Sequence, residues 1–435
     1  MIPAILCKDF YKVDHRRQYP AFTTKVYSNL TARISRIPGV KSAVVFGIQY
    51  FVKKFLIKNF NETFFDLPKD VVISKYKRRM DTSLGPDSIS TEHLEELHDL
   101  GYLPIHVKAL DEGTVCPLKV PVLTITNTHP NFSWLPNFLE TLISNSLWHP
   151  ITVATIAYRY RKILDFYAKK TSDIPEFVQW QGHDFSMRGQ SSLESSLASG
   201  AAHLLCFTGT DTIPAIDWLE HYYNADASKE LIGGSVPATE HAVMCLGGQE
   251  TEFDTYKRLI TEVYPSGIVS IVSDTWNFWE VLDQTVRTLK PEIMNRDGKV
   301  VIRPDSGDPE TILCGDQSVG GLPGKGAVQI LWEIFGGTIN SKGYKQLDPH
   351  IGLIYGDSIT LDRCESICAR LESMGFSSTN VVFGIGSYTY QYVTRDTLGF
   401  AMKATYGEVD GKPKEIFKDP FTDGGVKKSA KGLLR

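Results

Sequence analysis

The chain has 435 residues, 42% hydrophobic and 22% charged, with a formal net charge of −4. That composition belongs to a globular protein and excludes a disordered or fibrous chain. The slightly acidic balance also excludes a general nucleic-acid binder, which needs an excess of Lys and Arg on one face, so any phosphate site has to be local.

At the amino terminus a short apolar run meets charge at Lys8 and Asp9, which does not fit a signal peptide. Residues 43–57 are apolar-rich and predict a helix. HVKAL (106–110) and VLTIT (122–126) predict strands, and amphipathic spacing predicts helices over 138–147 and 154–167. From about Phe177 the pattern changes, and short apolar runs end in Asp, Gly or Arg before stretches of helical spacing. These runs are FVQWQGHDF (177–185), LLCFTGTD (204–211), IVSIVSD (268–274), KVVIRPDSG (299–307), IGLIYGD (351–357) and VVFGIGS (381–387). Successive β–α units form a doubly wound sheet or a barrel, with the chemistry at the carboxyl ends of the strands in both. No GxGxxG opens a helix after the first of them, which favours the barrel. The stretch 314–326, rich in Gly and Pro, reads as an exposed excursion; its GLPGKG fails as a P-loop at Val319 and Gly326. After Arg395 the alternation becomes β-like, with a hairpin turning at Asp410 and Gly411 that is expected to return to the first domain. No run approaches the roughly 18 apolar residues of a membrane span. The seven cysteines include no CxxC pair, so neither a disulfide framework nor a zinc site is expected. A cytoplasmic protein that engages neither membrane nor nucleic acid is the expectation.

The polar residues at the strand ends carry the chemistry. In RPDSG (303–307), Arg303 can hold phosphate bidentately, and Asp305, two residues on, can point into the same pocket to grip ribose hydroxyls or a metal's water shell. Alone, the pair would serve equally well as a salt bridge closing a strand. Asp211 in GTD, Asp274 in SD, and Gly356 with Asp357 repeat the pattern. One strand-end Asp is commonly a helix cap, whereas four strands ending this way suggest a shared site, with glycines that admit a phosphate close to backbone amides. The segment GGSVPATEH (233–241) brings Ser235 and Val236 and ends at His241. Among strand-end acids that imidazole can accept a phosphoryl group or contact pyrophosphate, although most histidines have no chemical role.

DFYKVDHRRQYP (9–20), WHPITVAT (148–155), HDFSMRG (183–189), FTGTDT (207–212), GGSVPATEH, IVSDTW (271–276), IRPDSG (302–307), YGDSI (355–359), FGIGS (383–387) with TRD (394–396), and FKDP (417–420) run in order along nearly the whole chain. In that order they resemble the nicotinamide phosphoribosyltransferases, within the type II phosphoribosyltransferases. The resemblance implies an α/β fold: an atypical (β/α) barrel-like domain over 173–393, and a β-rich α+β domain made from both chain ends, 1–172 and 394–435. It implies transfer of phosphoribosyl from phosphoribosyl pyrophosphate to nicotinamide, releasing pyrophosphate, in NAD salvage. Mg²⁺ would be held mainly by pyrophosphate and water, and ATP would act as an activating co-substrate through a phosphohistidine at His241, with Asp274 orienting the ring. A homodimer would share two active sites. Carried over residue by residue, Phe185 stacks on one face of nicotinamide and the partner's Tyr11 on the other, and Asp211 accepts the carboxamide N–H. Arg188, His241 and Arg303 hold pyrophosphate or phosphate, and Asp305 the ribose. Gly356, Asp357, Gly386 and Ser387 surround the nucleotide's 5′-phosphate and ribose. Arg395, Lys403 and Lys418 reach across from the partner, as do Asp9 and Arg33 near the pyrophosphate.

Three departures from the family pattern stand out. Ser387 and Tyr388 follow Gly386 where consecutive glycines are usual, Ser186 and Met187 separate Phe185 from Arg188, and Trp180 stands where some relatives carry Tyr. Two rival readings remain. In a nicotinate phosphoribosyltransferase the substrate's carboxylate would face Asp211 at a strong electrostatic cost. A non-catalytic binding protein on the same fold would be expected to lose Arg303, Asp305 or His241, and all three are present.

Overall fold

The computed structural model describes residues 2–356, 358–418 and 430–434. Two compact units divide the chain: Met1–Thr155 with Val393–Arg435, and Ile156–Tyr392. The first boundary was expected at 172 and falls at 155, within one continuous helix, Glu140–Thr171. That helix replaces the two expected over 138–147 and 154–167, and Pro150 lies inside it. The proline ring lies against Gly47, where a Cβ would come within 2.9 Å of Pro150 Cγ.

The terminal unit is built on an antiparallel sheet ordered Lys412–Glu415, Ala401–Val409, Thr23–Thr31, Pro121–Asn127, Ile105–Ala109. The last long strand therefore pairs with the first, Leu30 opposite Met402 and Tyr27 opposite Tyr406. Asp410 and Gly411 make the expected hairpin turn at φ 53° and 68°, the positive values that a two-residue turn of this hand requires. Leu30, Leu123, Ile125 and Met402 pack from the sheet onto Phe51, Phe60 and Phe64 in one apolar core. The helix expected from residue 43 starts later: Ser42–Val44 is a strand paired with Val115–Pro117, and helix begins at Ile48 after Gly47 at φ 92°. A short apolar run does not by itself distinguish a buried strand from a buried helix.

In the other unit six parallel strands lie in the order Gly209–Thr210, Gly182–Asp184, Val381–Ile385, Ile351–Tyr355, Asp297–Arg303, Ser266–Val272. The GGSVPATEH segment closes the ring. Gly234 bridges in parallel to Gly209 on one edge, and Ala238 to Ser270 on the other. Thr210 N–H donates to Gly234 O at 2.9 Å, and Ser270 N–H to Pro237 O at 2.8 Å. Closure through a single extended segment makes this a barrel rather than an open doubly wound sheet. Two expected strands are short: Val178–Gln181 is helical, leaving only Gly182–Asp184 extended, and only Gly209–Thr210 of 204–211 is strand. Their apolar residues Val178 and Phe207 are buried all the same. Instead of a bare excursion, 314–326 contains a helical turn, Gly321–Lys325, pinned by the Lys325–Glu333 ion pair at 2.7 Å. No helix among the described residues is long and apolar enough to cross a membrane.

Candidate active site

At one side of the barrel mouth Asp211 follows its two-residue strand, with its N–H on Asp184 O at 3.0 Å. A single oxygen of its carboxylate, Oδ1, takes both side-chain contacts: Ser235 Oγ donates at 2.6 Å, and His183 Nε2 lies at 2.7 Å. Burial pushes the carboxyl's pKa up. The hydrogen bonds of His183 and Ser235, with the charges of His183 and Arg303, outweigh that and leave it below the usual value. Asp211 is therefore ionised at neutral pH. Beneath it the buried Asp184 ties two strand ends together, accepting from Ser186 N–H at 2.9 Å and from the Thr212 hydroxyl at 2.7 Å. The Phe185 ring packs on His183 with centroids 4.7 Å apart. Gly384 is required beside it, since a Cβ there would lie 2.5 Å from the Phe185 ring.

Across the mouth, Arg303 Nη2 donates to Thr239 O at 2.5 Å, while its buried Nε has no hydrogen-bond partner among the described residues. An orphaned buried N–H of this kind is costly unless a ligand atom completes it. Asp274, with its side chain only 6% exposed, is the hub of this side. Oδ1 faces His241 Nε2 at 3.2 Å, and Oδ2 accepts from Asp305 N–H at 3.1 Å and the Ser306 hydroxyl at 2.5 Å. Burial raises the Asp274 carboxyl, and the donors from Ser306, Asp305 and His241 bring it below the usual value. The half-exposed His241 is thus oriented by a nearly buried acid. Close approaches explain two glycines: a Cβ on Gly356 would lie 2.1 Å from Asp305 Oδ1, and one on Gly189 would lie 1.9 Å from Ser387 Oγ.

Two adjoining cavities fill this mouth. One, of about 420 Å³, is lined by Trp180, Ser235 and Val236; the other, of about 860 Å³, by Arg188, Asp305, Gly356, Gly386 and Ser387. They share Phe185, Asp211, Ala238 and Arg303. Of the barrel residues expected at one site, His241 and Asp274 line neither cavity and reach it through Asp305, and Asp357 lies outside the described residues.

Asp9, Tyr11, Arg33, Arg395, Lys403 and Lys418 belong to the terminal unit. Asp9 Oδ2 accepts from the Thr141 hydroxyl at 2.7 Å, and Tyr11 is exposed, edge-on to His15 at 5.1 Å. Arg33 Nε donates to Gly399 O at 2.9 Å, and Arg395 pairs with Asp396 at 3.3 Å. Burial depresses the Lys403 amine; Glu140 opposes this, while Arg33, Lys12 and Lys418 add to it. Lys12, nearly buried, is paired with Glu140. Lys12, Glu140, His183 and Asp184 were not singled out from the sequence as site residues. His183 and Asp184 had a usable signal in the HDF that opens the motif around Phe185, whereas Lys12 and Glu140 meet across 128 residues and had none.

Two family models match, "Nicotinamide phosphoribosyltransferase, N-terminal domain" over residues 4–105 and "Nicotinate phosphoribosyltransferase (NAPRTase) family" over 180–435. A nicotinamide phosphoribosyltransferase of Acinetobacter baylyi is 56% identical, covering 98% of this chain and 86% of its own length. Those of Mycoplasma pneumoniae and Xanthomonas campestris are 36% and 34% identical, over 96% and 99% of this chain and 92% and 86% of theirs. Among solved structures, the nicotinate-nucleotide pyrophosphorylase of Pyrococcus furiosus superposes with a TM-score of 0.55 at 15% identity, covering 95% of this chain and 78% of that one. Human nicotinic acid phosphoribosyltransferase gives 0.53 at 17% identity, covering 94% and 75%. These two likenesses concern the fold alone. With 56% identity across almost its full length and two family models matched in chain order, this chain belongs to the nicotinamide phosphoribosyltransferase family.

Proposed function

We propose that the chain transfers phosphoribosyl from phosphoribosyl pyrophosphate to nicotinamide, yielding nicotinamide mononucleotide and pyrophosphate for NAD salvage. One observation carries the choice of base. Asp211 is ionised, its Oδ1 is saturated by Ser235 and His183, and it lines the wall shared by the two cavities. An acceptor of that kind suits a carboxamide N–H and repels a carboxylate. The pyridine lies against Phe185 with its amide on Asp211, and its ring nitrogen faces C1 of the ribose in the larger cavity. As the C1–O bond to pyrophosphate breaks, positive charge grows on the ribose near Asp305 and negative charge on the leaving group near Arg303 and Arg188. No group of three His, Cys, Asp or Glu among the described residues is arranged to hold a metal, and the oxygens of Asp274 are engaged by protein donors. Mg²⁺ would arrive with the pyrophosphate and would neutralise leaving-group charge there.

His241, half-exposed and oriented through Nε2 by Asp274, suits a phosphoryl acceptor. Its other ring nitrogen takes the γ-phosphoryl of ATP as the bond to ADP breaks. The basic residues of the terminal unit, with Tyr11, complete the site of a second copy of the chain, which makes the working enzyme a homodimer. Incubation of the purified protein with phosphoribosyl pyrophosphate, Mg²⁺ and either base tests the reading. Nicotinamide mononucleotide is the expected product, and faster formation of nicotinate mononucleotide overturns it. In His241→Ala, ATP hydrolysis disappears while uncoupled transfer persists; continued ATP turnover excludes the phosphohistidine.

A further inference from the structure

We propose that His183 is the positioning residue that decides which pyridine the site accepts, by fixing the orientation of Asp211. The inference rests on the transferase reading above and adds to it a residue.

Asp211 Oδ1 lies 2.7 Å from His183 Nε2 and accepts from Ser235 Oγ at 2.6 Å. Both contacts fall on one oxygen, so the carboxylate cannot rotate without losing both, and Oδ2 is left to meet the substrate. A neutral imidazole can donate to Oδ1 only in the tautomer with its proton on Nε2, which leaves Nδ1 bare. Nδ1 lies where a Cβ on Gly209 would approach within 2.7 Å. The ring itself is held by Phe185 at 4.7 Å. Held this way, the ionised Asp211 presents an acceptor to a carboxamide N–H and opposes a carboxylate.

The test measures kcat and KM for nicotinamide and for nicotinic acid at one neutral pH, with binding of each base followed by titration calorimetry. His183→Ala frees Asp211 to turn, which raises KM for nicotinamide more than it lowers kcat and narrows the preference for nicotinamide about tenfold, the size of one lost hydrogen bond. His183→Gln keeps a donor toward Asp211 and restores most of that preference. An unchanged ratio and KM in a folded His183→Ala overturns the proposal, as does a His183→Gln that behaves like His183→Ala. If the unaltered enzyme makes neither mononucleotide, the transferase reading fails instead, and the calorimetric ratio still decides for or against His183.

Discussion

At the barrel mouth, negative side chains are held by hydrogen-bond donors from adjoining elements: Asp184 by Ser186 and Thr212, Asp211 by Ser235 and His183, Asp274 by Asp305, Ser306 and His241. The terminal unit does the reverse. There burial, with the cations Arg33, Lys12 and Lys418, depresses the Lys403 amine, and Glu140 is the counter-charge. The acids are satisfied without a ligand, so their geometry is ready before substrate arrives. Lys403 is held among like charges, which cost stability until an anion joins them. In the proposed reaction, recognition of base and ribose falls to the barrel, which shares anion binding through Arg188 and Arg303 with the cations of the chain ends.

The largest effect should come from the barrel. Asp305→Ala is expected to lower kcat/KM by about 10²–10³-fold, the cost of removing one group that meets developing charge, with little change in thermal stability. By contrast Lys403→Ala should act mainly on KM for phosphoribosyl pyrophosphate, and an equal loss of kcat in steady-state kinetics would break the division of labour.

Next in size is complementation between the units. If the terminal unit of one copy completes the barrel of another, refolding Tyr11→Ala chains with Asp305→Ala chains should restore roughly a quarter of the original activity from two nearly inactive parents, because half the random dimers carry one intact site of two. Activity that stays at the parental average would show each chain to be self-contained.

Asp211→Asn sharpens the barrel side further. It should cost nicotinamide use about 1–3 kcal/mol, the range for a hydrogen bond to a charged group, and relax discrimination against nicotinic acid. Competition assays with both bases read this directly; a folded variant with unaltered preference would reduce Asp211 to a structural role.

The smallest contrast lies in two buried histidines, one in each unit. His93 is 4% exposed, neither ring nitrogen has a partner among the described residues, and burial, with Arg16 and Lys8, lowers its pKa to about 3. An unfolded histidine takes its proton near pH 6.5. Between those values the unfolded chain binds the extra proton, so stability is full above about pH 6.5 and is lost as pH falls toward 3. Between pH 7 and 5 the loss is about 2 kcal/mol. His93→Phe should remove that loss at little cost at pH 7, followed by denaturant melts on the fluorescence of Trp134, whose ring lies 4.9 Å from His93. His203→Phe should destabilise already at pH 7, because it breaks the bonds to Tyr390 and Gly209.

Much of the barrel was legible in the sequence because its logic is local. A parallel strand ends, the next residues are polar, and the ends of neighbouring strands converge wherever the order of strands places them. Thus Asp211, Asp274, Arg303, Asp305 and Gly356 could be picked from runs of a few residues, and the hairpin at Asp410 and Gly411 from its turn chemistry. Apolar runs were less informative where a buried helix and a buried strand look alike, as at 43–57 and 177–181.

The tertiary structure alone decided how these pieces close and what holds them. That GGSVPATEH bridges the two edge strands follows from pairing partners at Gly209 and Ser270, which no local pattern names. That His183 and Ser235 share one oxygen of Asp211, or that Lys12 finds Glu140 and Arg33 finds Gly399, depends on approach across 24 to 366 residues. Sequence order determines which groups exist and which local element presents each one. Only packing sets the ångström-scale separations on which hydrogen bonds and charge interactions depend.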